Sequence, residues 1–112
     1  MNKISKLKTD VKTGLFPIIH KEFSGANLII TSNPNRKFRE GDILIYSEHA
    51  PALSWLVYEL KKIYLMDLNY RNKYEFYPYI GELIMESLKN DSMLFESMLH
   101  VIEKIEYEWG TK

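Results

Sequence analysis

The pattern of apolar positions changes near the middle of the chain. Before residue 51, apolar residues occur in short runs rich in β-branched side chains, and each run is bounded by Gly, Asn, Asp or Ser. Runs of this kind are typical of β-strands. The sequence therefore predicts three strands, at residues 15–19, 28–31 and 43–46.

The residues between these runs predict how the strands connect. Residues 24–27, Ser-Gly-Ala-Asn, favour a hairpin between the first two strands, because Gly and Asn tolerate positive φ. Pro17 cannot donate to a ladder, so the first strand either lies at the sheet edge or begins later. The connection over residues 32–42 is too long for a tight hairpin. For residues 3–12 a short helix and a strand are both open, and we favour the helix.

From Pro51 onward the apolar period changes from two to about 3.6 residues, which is the period of an amphipathic helix. Proline suits the first helical position because its missing N–H would be unpaired there. We predict one helix from Pro51 to about Met66 and a second that opens at Pro78. A third follows, capped by Asp91 or Ser92, and the chain's last glycine, residue 110, ends it.

These elements predict an α+β fold, in which a small antiparallel sheet of about three strands in the N-terminal half is covered by three C-terminal helices. The chain has 112 residues, of which 46% are hydrophobic and 27% charged. That size and composition suit one compact domain, so we expect residues 1–112 to form a single α+β domain.

Composition also excludes several classes of function. The sequence contains no cysteine, and therefore no disulfide framework, thiolate metal site or cysteine nucleophile. Fifteen basic residues balance fifteen acidic ones, which argues against a surface devoted to nucleic acid or to an anionic membrane. Apolar runs are too short for a membrane span or a signal peptide. We expect a cytoplasmic protein that does not associate with membranes.

The zero net charge conceals an uneven distribution along the chain. Residues 1–42 contain eight Lys or Arg against four Asp or Glu, whereas residues 43–112 contain seven against eleven. Between Glu75 and Glu108, eight acidic residues accompany only Lys89 and Lys104. The sequence therefore predicts a basic sheet half and an acidic helical half.

Candidate catalytic groups are sparse. Glu96, His100 and Glu103 share one helix face and have metal-ligand chemistry, but a solvated polar face explains them better. The segment 47–49, Ser-Glu-His, contains a hydroxyl, a carboxylate and an imidazole, although neighbours in an extended segment point apart, so we favour helix capping. No two glycines are close enough for a phosphate-binding loop. We predict no enzyme activity, no catalytic residues, no metal site and no cofactor.

The most distinctive feature is a cluster of aromatic residues with acidic neighbours around the connection between the first two predicted helices. Tyrosine is amphipathic and is common at the centres of protein interfaces. The alternative is that these rings seal the helices onto the sheet. The predicted partner-binding residues are Tyr70, Tyr74, Glu75, Tyr77, Tyr79, Glu82 and Glu86.

A second candidate surface is the basic loop, residues 35–39. It carries one aromatic residue among three cations, a combination that can stack on a nucleobase and contact phosphates. A solvated loop tip is the competing interpretation. The candidate nucleic-acid contacts are Arg36, Lys37, Phe38 and Arg39.

Taken together, these features predict a non-catalytic protein-binding module. It would inhibit or neutralise a partner with a basic surface by covering a functional site, as immunity proteins, antitoxins and phage-encoded inhibitors do; this is an analogy of size and composition. The alternative is a nucleic-acid-associated accessory or regulatory protein that uses the basic loop. The charge split also permits a homodimer.

Overall fold

The computed structural model describes residues 2–65, 72–90 and 93–110. Within these residues the chain forms four helices and one three-stranded sheet, so the predicted α+β class is confirmed. The elements in chain order are α1 (Lys3–Thr13), β1 (Phe23–Gly25), β2 (Leu28–Thr31), β3 (Ile43–Tyr46), α2 (Ala50–Tyr64), α3 (Lys73–Asn90) and α4 (Leu94–Trp109).

The N-terminal segment is a helix, the favoured of the two alternatives. The side chain of Asn2 caps α1 by accepting a hydrogen bond from the backbone N–H of Ser5 at 2.8 Å. Gly14 ends the helix in the left-handed region, with φ of 67°. The side chains of Leu7 and Val11, one turn apart, are buried and form the inner face of the helix.

The predicted bounds of the first strand are wrong, but its later start and its place at the sheet edge agree with the alternatives that Pro17 left open. Residues 15–19 form no strand, and β1 lies a few residues later, at Phe23–Gly25. Pro17 has no N–H to give to a ladder. Phe16 is instead anchored by stacking on Trp55, with the ring centroids 4.7 Å apart. The predicted hairpin is present between β1 and β2, because Ala26 and Asn27 both adopt positive φ, as a two-residue turn requires.

The sheet is mixed, which corrects the prediction of an antiparallel sheet. Strand order is β1-β2-β3, with β1 antiparallel to β2 but β3 parallel to it. In the parallel pair Leu28 lies opposite Ile43, and Thr31 lies opposite Tyr46. The long connection over residues 32–42 has the physical role of returning the chain to the end of the sheet where β2 begins, so that β3 runs in the same direction.

The three C-terminal helices are present, but α3 does not open at Pro78. It begins at Lys73, where the side chain of Asn72 accepts a hydrogen bond from the backbone N–H of Tyr74 at 2.8 Å. Pro78 therefore lies inside the helix. As predicted, α4 ends before Gly110. The proposed caps Asp91 and Ser92, like Met66, lie outside the described residues.

The core lies where the helices meet each other and the sheet. Helix α2 packs against β1 and β2, and α3 packs against β2 and β3. Helix α4 packs against α3, α1 and α2. The largest fully buried side chains come from the sheet, α2, α3 and α4: Phe23, Phe76, Leu28, Ile30, Leu53, Leu56, Leu60, Ile80, Ile84, Met98, Ile102 and Ile105.

Candidate functional surfaces

Helix α3 presents an acidic face to solvent, formed by Glu75, Tyr79, Glu82 and Glu86. The spacing of four, three and four residues places these side chains on one side of the helix. All three glutamates are exposed, and none forms an ion pair with another described residue. The three carboxylates thus belong to exposed residues on one side of the helix.

The predicted tyrosine cluster divides between the surface and the interior. The side chain of Tyr74 is 64% exposed, whereas that of Tyr77 is only 6% exposed and packs against Phe23 and Phe76. Tyr79 is half-buried. Tyr70 lies outside the described residues. Tyr77 thus contributes to the core, while Tyr74 and Tyr79 are accessible on α3.

Tyr79 connects the acidic face to the end of α4. Its ring stacks on that of Trp109, with the centroids 5.9 Å apart. Burial, and then the nearby charge of Glu108, raise the pKa of Tyr79 above its ordinary value of 10.0. Its ring stacks between α3 and α4. This is a rigid aromatic group beside exposed carboxylates.

Burial also raises the pKa of Tyr77 above 10.0, with a smaller contribution from the charge of Tyr58. The phenol of Tyr77 therefore ionises more readily in the unfolded chain than in the folded one. We expect its contribution to the free energy of unfolding to be constant below about pH 10 and to be lost as the pH rises through the folded-state pKa. Urea unfolding between about pH 9 and about pH 12 measures this.

In that experiment Tyr77→Phe should weaken the alkaline loss of stability. Tyr107, whose side chain is 85% exposed, provides the matched control, and Tyr107→Phe should retain the wild-type decline. Equal pH profiles for wild type and Tyr77→Phe would contradict the burial of the Tyr77 phenol.

The basic loop, residues 35–39, is tied to the hairpin by Arg36. Arg36 Nε donates to Glu22 Oε1 at 3.0 Å, and Nη2 donates to Ser24 Oγ at 3.3 Å. Nη1 of the same guanidinium donates to the backbone carbonyl of Lys37. Of the three cations in the basic loop, Arg36 therefore already uses its guanidinium for hydrogen bonds within the protein.

The other side chains of the basic loop face solvent. Phe38 is 58% exposed, and Lys37 and Arg39 are exposed on either side of it. Neither cation forms an ion pair with another described residue. The loop and the β1–β2 turn border an open groove of about 530 Å³.

Sequence reasoning missed an apolar surface patch. The side chains of Leu15, Ile18 and Ile19 are 78%, 61% and 72% exposed. Beside Ile18, a cavity of about 270 Å³ extends to the start of α2 and to Phe95 of α4. The sequence pattern predicts a strand over residues 15–19, and Pro17 was the available signal against it.

The three histidines have different surroundings. His100 Nδ1 lies 2.8 Å from Ser87 Oγ, so it bridges α4 to α3. His20 packs against the ring of Tyr58. His49 is exposed, and its Nε2 lies 3.5 Å from Glu48 Oε1. Among residues 2–65, 72–90 and 93–110, no three His, Asp or Glu side chains are placed to hold a metal ion. The Ser47 hydroxyl accepts a hydrogen bond from the backbone N–H of His49, which is a turn contact at the start of α2.

No protein-family model, curated protein or solved structure matches this chain. A search of the described helices for one long and apolar enough to cross a membrane found none.

Proposed function

We propose that this chain is a non-catalytic protein-binding module that docks its acidic face onto a basic surface of another protein. By covering that surface it inhibits or neutralises the partner. Immunity proteins, antitoxins and phage-encoded inhibitors work in this way, and the small size and charge split of this chain suit the same role. We further propose that it acts in the cytoplasm, since its sequence contains no cysteine for disulfides.

The observation that carries the proposal is the exposure, on one side of α3, of three glutamates that form no ion pair with any residue in the described ranges. Glu82 and Glu86 are one turn apart, and like charges at this spacing cost a helix roughly 0.2–0.5 kcal/mol. A surface that retains such repulsion is suited to a cationic partner, which would remove it on binding. The basic loop offers less free charge, because Arg36 is paired with Glu22.

The aromatic rings supply binding energy that the charges alone do not. Exposed carboxylates mainly accelerate encounter, whereas buried tyrosine and tryptophan rings dominate the energy of most protein interfaces. Tyr74 is exposed one residue before Glu75, and Tyr79 lies between Glu75 and Glu82 on the acidic face. A basic partner would therefore meet aromatic surface and negative charge on the same helix.

The test begins with affinity capture from the native host, followed by binding measurements with the purified partner. Replacing Glu75, Glu82 and Glu86 together by glutamine should slow association by roughly tenfold at low salt, because steering by complementary charge is lost. Added salt should reduce this difference, since screening acts on the wild-type protein more strongly.

The matched control replaces three exposed glutamates outside the acidic face, Glu40, Glu48 and Glu96, by glutamine. It removes the same total charge and should leave association within about twofold of wild type. Unchanged binding by the acidic-face variant would eliminate this face as the docking surface. An equal loss in both variants would reduce the effect to net charge and would likewise overturn the proposal. Self-association as the sole binding event would replace it with a homodimer.

A further inference from the structure

The groove beside the basic loop combines features of a ligand site that the proposed function does not use. It lies at the end of the sheet where β2 and β3 begin, between the turn at Ala26 and Asn27 and the loop that leads into β3. Its volume of about 530 Å³ is within the range of roughly 300–1,000 Å³ common for small-molecule sites.

Phe38 is displayed in this groove by a loop that is fixed on both sides. Before it, Arg36 binds the carbonyl of Lys37 and bridges to Glu22 and Ser24 of the hairpin segment. After it, the carboxylate of Asp42 accepts a hydrogen bond from the backbone N–H of Arg39 at 2.9 Å. Because these contacts hold the backbone on both sides of the exposed ring, the ring can stack on a ligand without further ordering of the backbone.

The charges around the ring add a second kind of contact. Lys37 and Arg39 flank Phe38 in sequence and line the same groove. Both are exposed, and neither has an acidic partner among the described side chains, whereas the guanidinium of Arg36 is occupied by Glu22. A ligand that occupies the groove therefore meets one aromatic face and two cations, together with Asp42, whose carboxylate is engaged by the backbone N–H of Arg39.

We propose that this groove binds single-stranded nucleic acid, with a base stacked on Phe38 and the adjoining phosphates held by Lys37 and Arg39. Arg36 is a positioning residue in this site, because its guanidinium holds the loop and does not reach for phosphate. The site shares no residue with the acidic face, so it can be tested independently of the protein-binding proposal.

A single strand fits these contacts better than a duplex does. The face of a base is available for stacking on an aromatic side chain only when the base is unstacked from its neighbours. Duplex binding without base readout depends on many phosphate contacts, and two available cations do not supply them. The predicted ligand is thus a short flexible strand, bound without strong sequence preference.

The test is fluorescence anisotropy of a short labelled oligothymidylate, and of the corresponding oligouridylate, titrated with the full chain. Phe38→Ala should weaken binding by roughly tenfold, whereas Phe38→Tyr, which keeps a stacking ring, should remain within about twofold of wild type. Between about 50 and about 200 mM salt, the logarithm of affinity should fall against the logarithm of salt with a slope near −1.4, because each single-strand phosphate contact contributes about −0.7.

Lys37→Ala combined with Arg39→Ala should remove most of that salt dependence. The control Lys12→Ala combined with Lys89→Ala removes two exposed cations elsewhere and should leave binding nearly unchanged. Equal losses in the two double variants, or an unaffected Phe38→Ala, would overturn the proposal. A labelled duplex that binds as tightly as the single strand, or full displacement of the strand by an equimolar nucleoside monophosphate, would overturn it as well.

The variant Glu22→Ala distinguishes two roles for Arg36, namely positioning of the basic loop and direct contact with phosphate. The variant makes the protein more positive, which by itself would favour an anionic strand. If Arg36 positions the loop, loss of its anchor should weaken binding several-fold despite the added charge. Tighter binding by Glu22→Ala would mean that the released Arg36 contacts phosphate, and would overturn its assignment as a positioning residue.

Discussion

Replacing Phe76 by alanine is expected to lower the free energy of unfolding by about 3–5 kcal/mol, the range for truncating a buried aromatic side chain. Phe76 is fully buried in α3. Its ring meets that of Trp109 edge-on at 5.2 Å and also contacts Tyr77. The truncation removes these contacts and leaves a cavity between α3 and the end of α4. Because small domains are stable by only about 5–15 kcal/mol, the midpoint of urea unfolding should fall markedly.

The matched control is Phe38→Ala, which removes the same atoms from an exposed position. It should change the free energy of unfolding by no more than about 0.5 kcal/mol. A Phe76→Ala protein with a wild-type midpoint would contradict the packing of α3 against α4. A strongly destabilised Phe38→Ala protein would instead indicate that the ring is buried.

The second large effect is expected at Gly81, where α3 approaches the sheet closely. A Cβ atom at this position would lie 2.9 Å from Leu28 Cδ1 and 3.3 Å from Ile43 Cγ2. Leu28 is fully buried and is paired with the partly buried Ile43 across the parallel strands, so the Leu28 side chain has little room to move away. Gly81→Val should therefore destabilise the protein by about 1–3 kcal/mol or more through overpacking.

Helix propensity predicts the opposite sign, which makes this substitution informative. Glycine is the less favourable residue in a helix interior by several tenths of a kcal/mol. Thermal or urea unfolding of Gly81→Val therefore shows whether the steric effect or the propensity effect is larger. A Gly81→Val protein as stable as wild type would mean that α3 does not lie this close to β2 and β3.

The helices could be predicted from the sequence because their apolar residues repeat with a clear period over many residues. The start of α3 could not be predicted, because the preference of proline for the first helical position placed it at Pro78. In the structure the helix starts after Asn72, whose side chain caps the first turn. That turn consists of polar and aromatic residues and has no apolar period. A local cap thus outweighed a strong statistical preference.

The sheet was harder to predict because its strands are short. Both the hairpin turn and the run that forms β2 could be identified, since positive φ at the turn depends on a few local residues. The direction of β3 depends on the path of the preceding connection, on which the local apolar pattern carries no information. Residues 15–19 were misassigned because an apolar run resembles a strand in composition, whereas in the structure its Phe16 packs on Trp55 of α2 and Phe95 of α4.

Exposure was the least predictable property of the candidate surfaces. Tyr74 and Tyr77 are three residues apart in one helix, yet the first is exposed and the second is in the core. Likewise, the three cations of the basic loop look equivalent in sequence, and only the contact with Glu22 distinguishes Arg36. Long-range neighbours decide such differences, and they are not encoded by the local pattern.

The packing of α1 against α4 has a consequence for synthesis on the ribosome. Lys8 of α1 forms an ion pair with Glu106 of α4, 98 positions later in the chain, and the two helices bury apolar surface against each other. As the polypeptide emerges, the first helix therefore has its main partner only when the last one has been made. Until then α1 has only its smaller contact with α2, so part of its apolar stripe is exposed during translation, when exposed apolar surface favours aggregation.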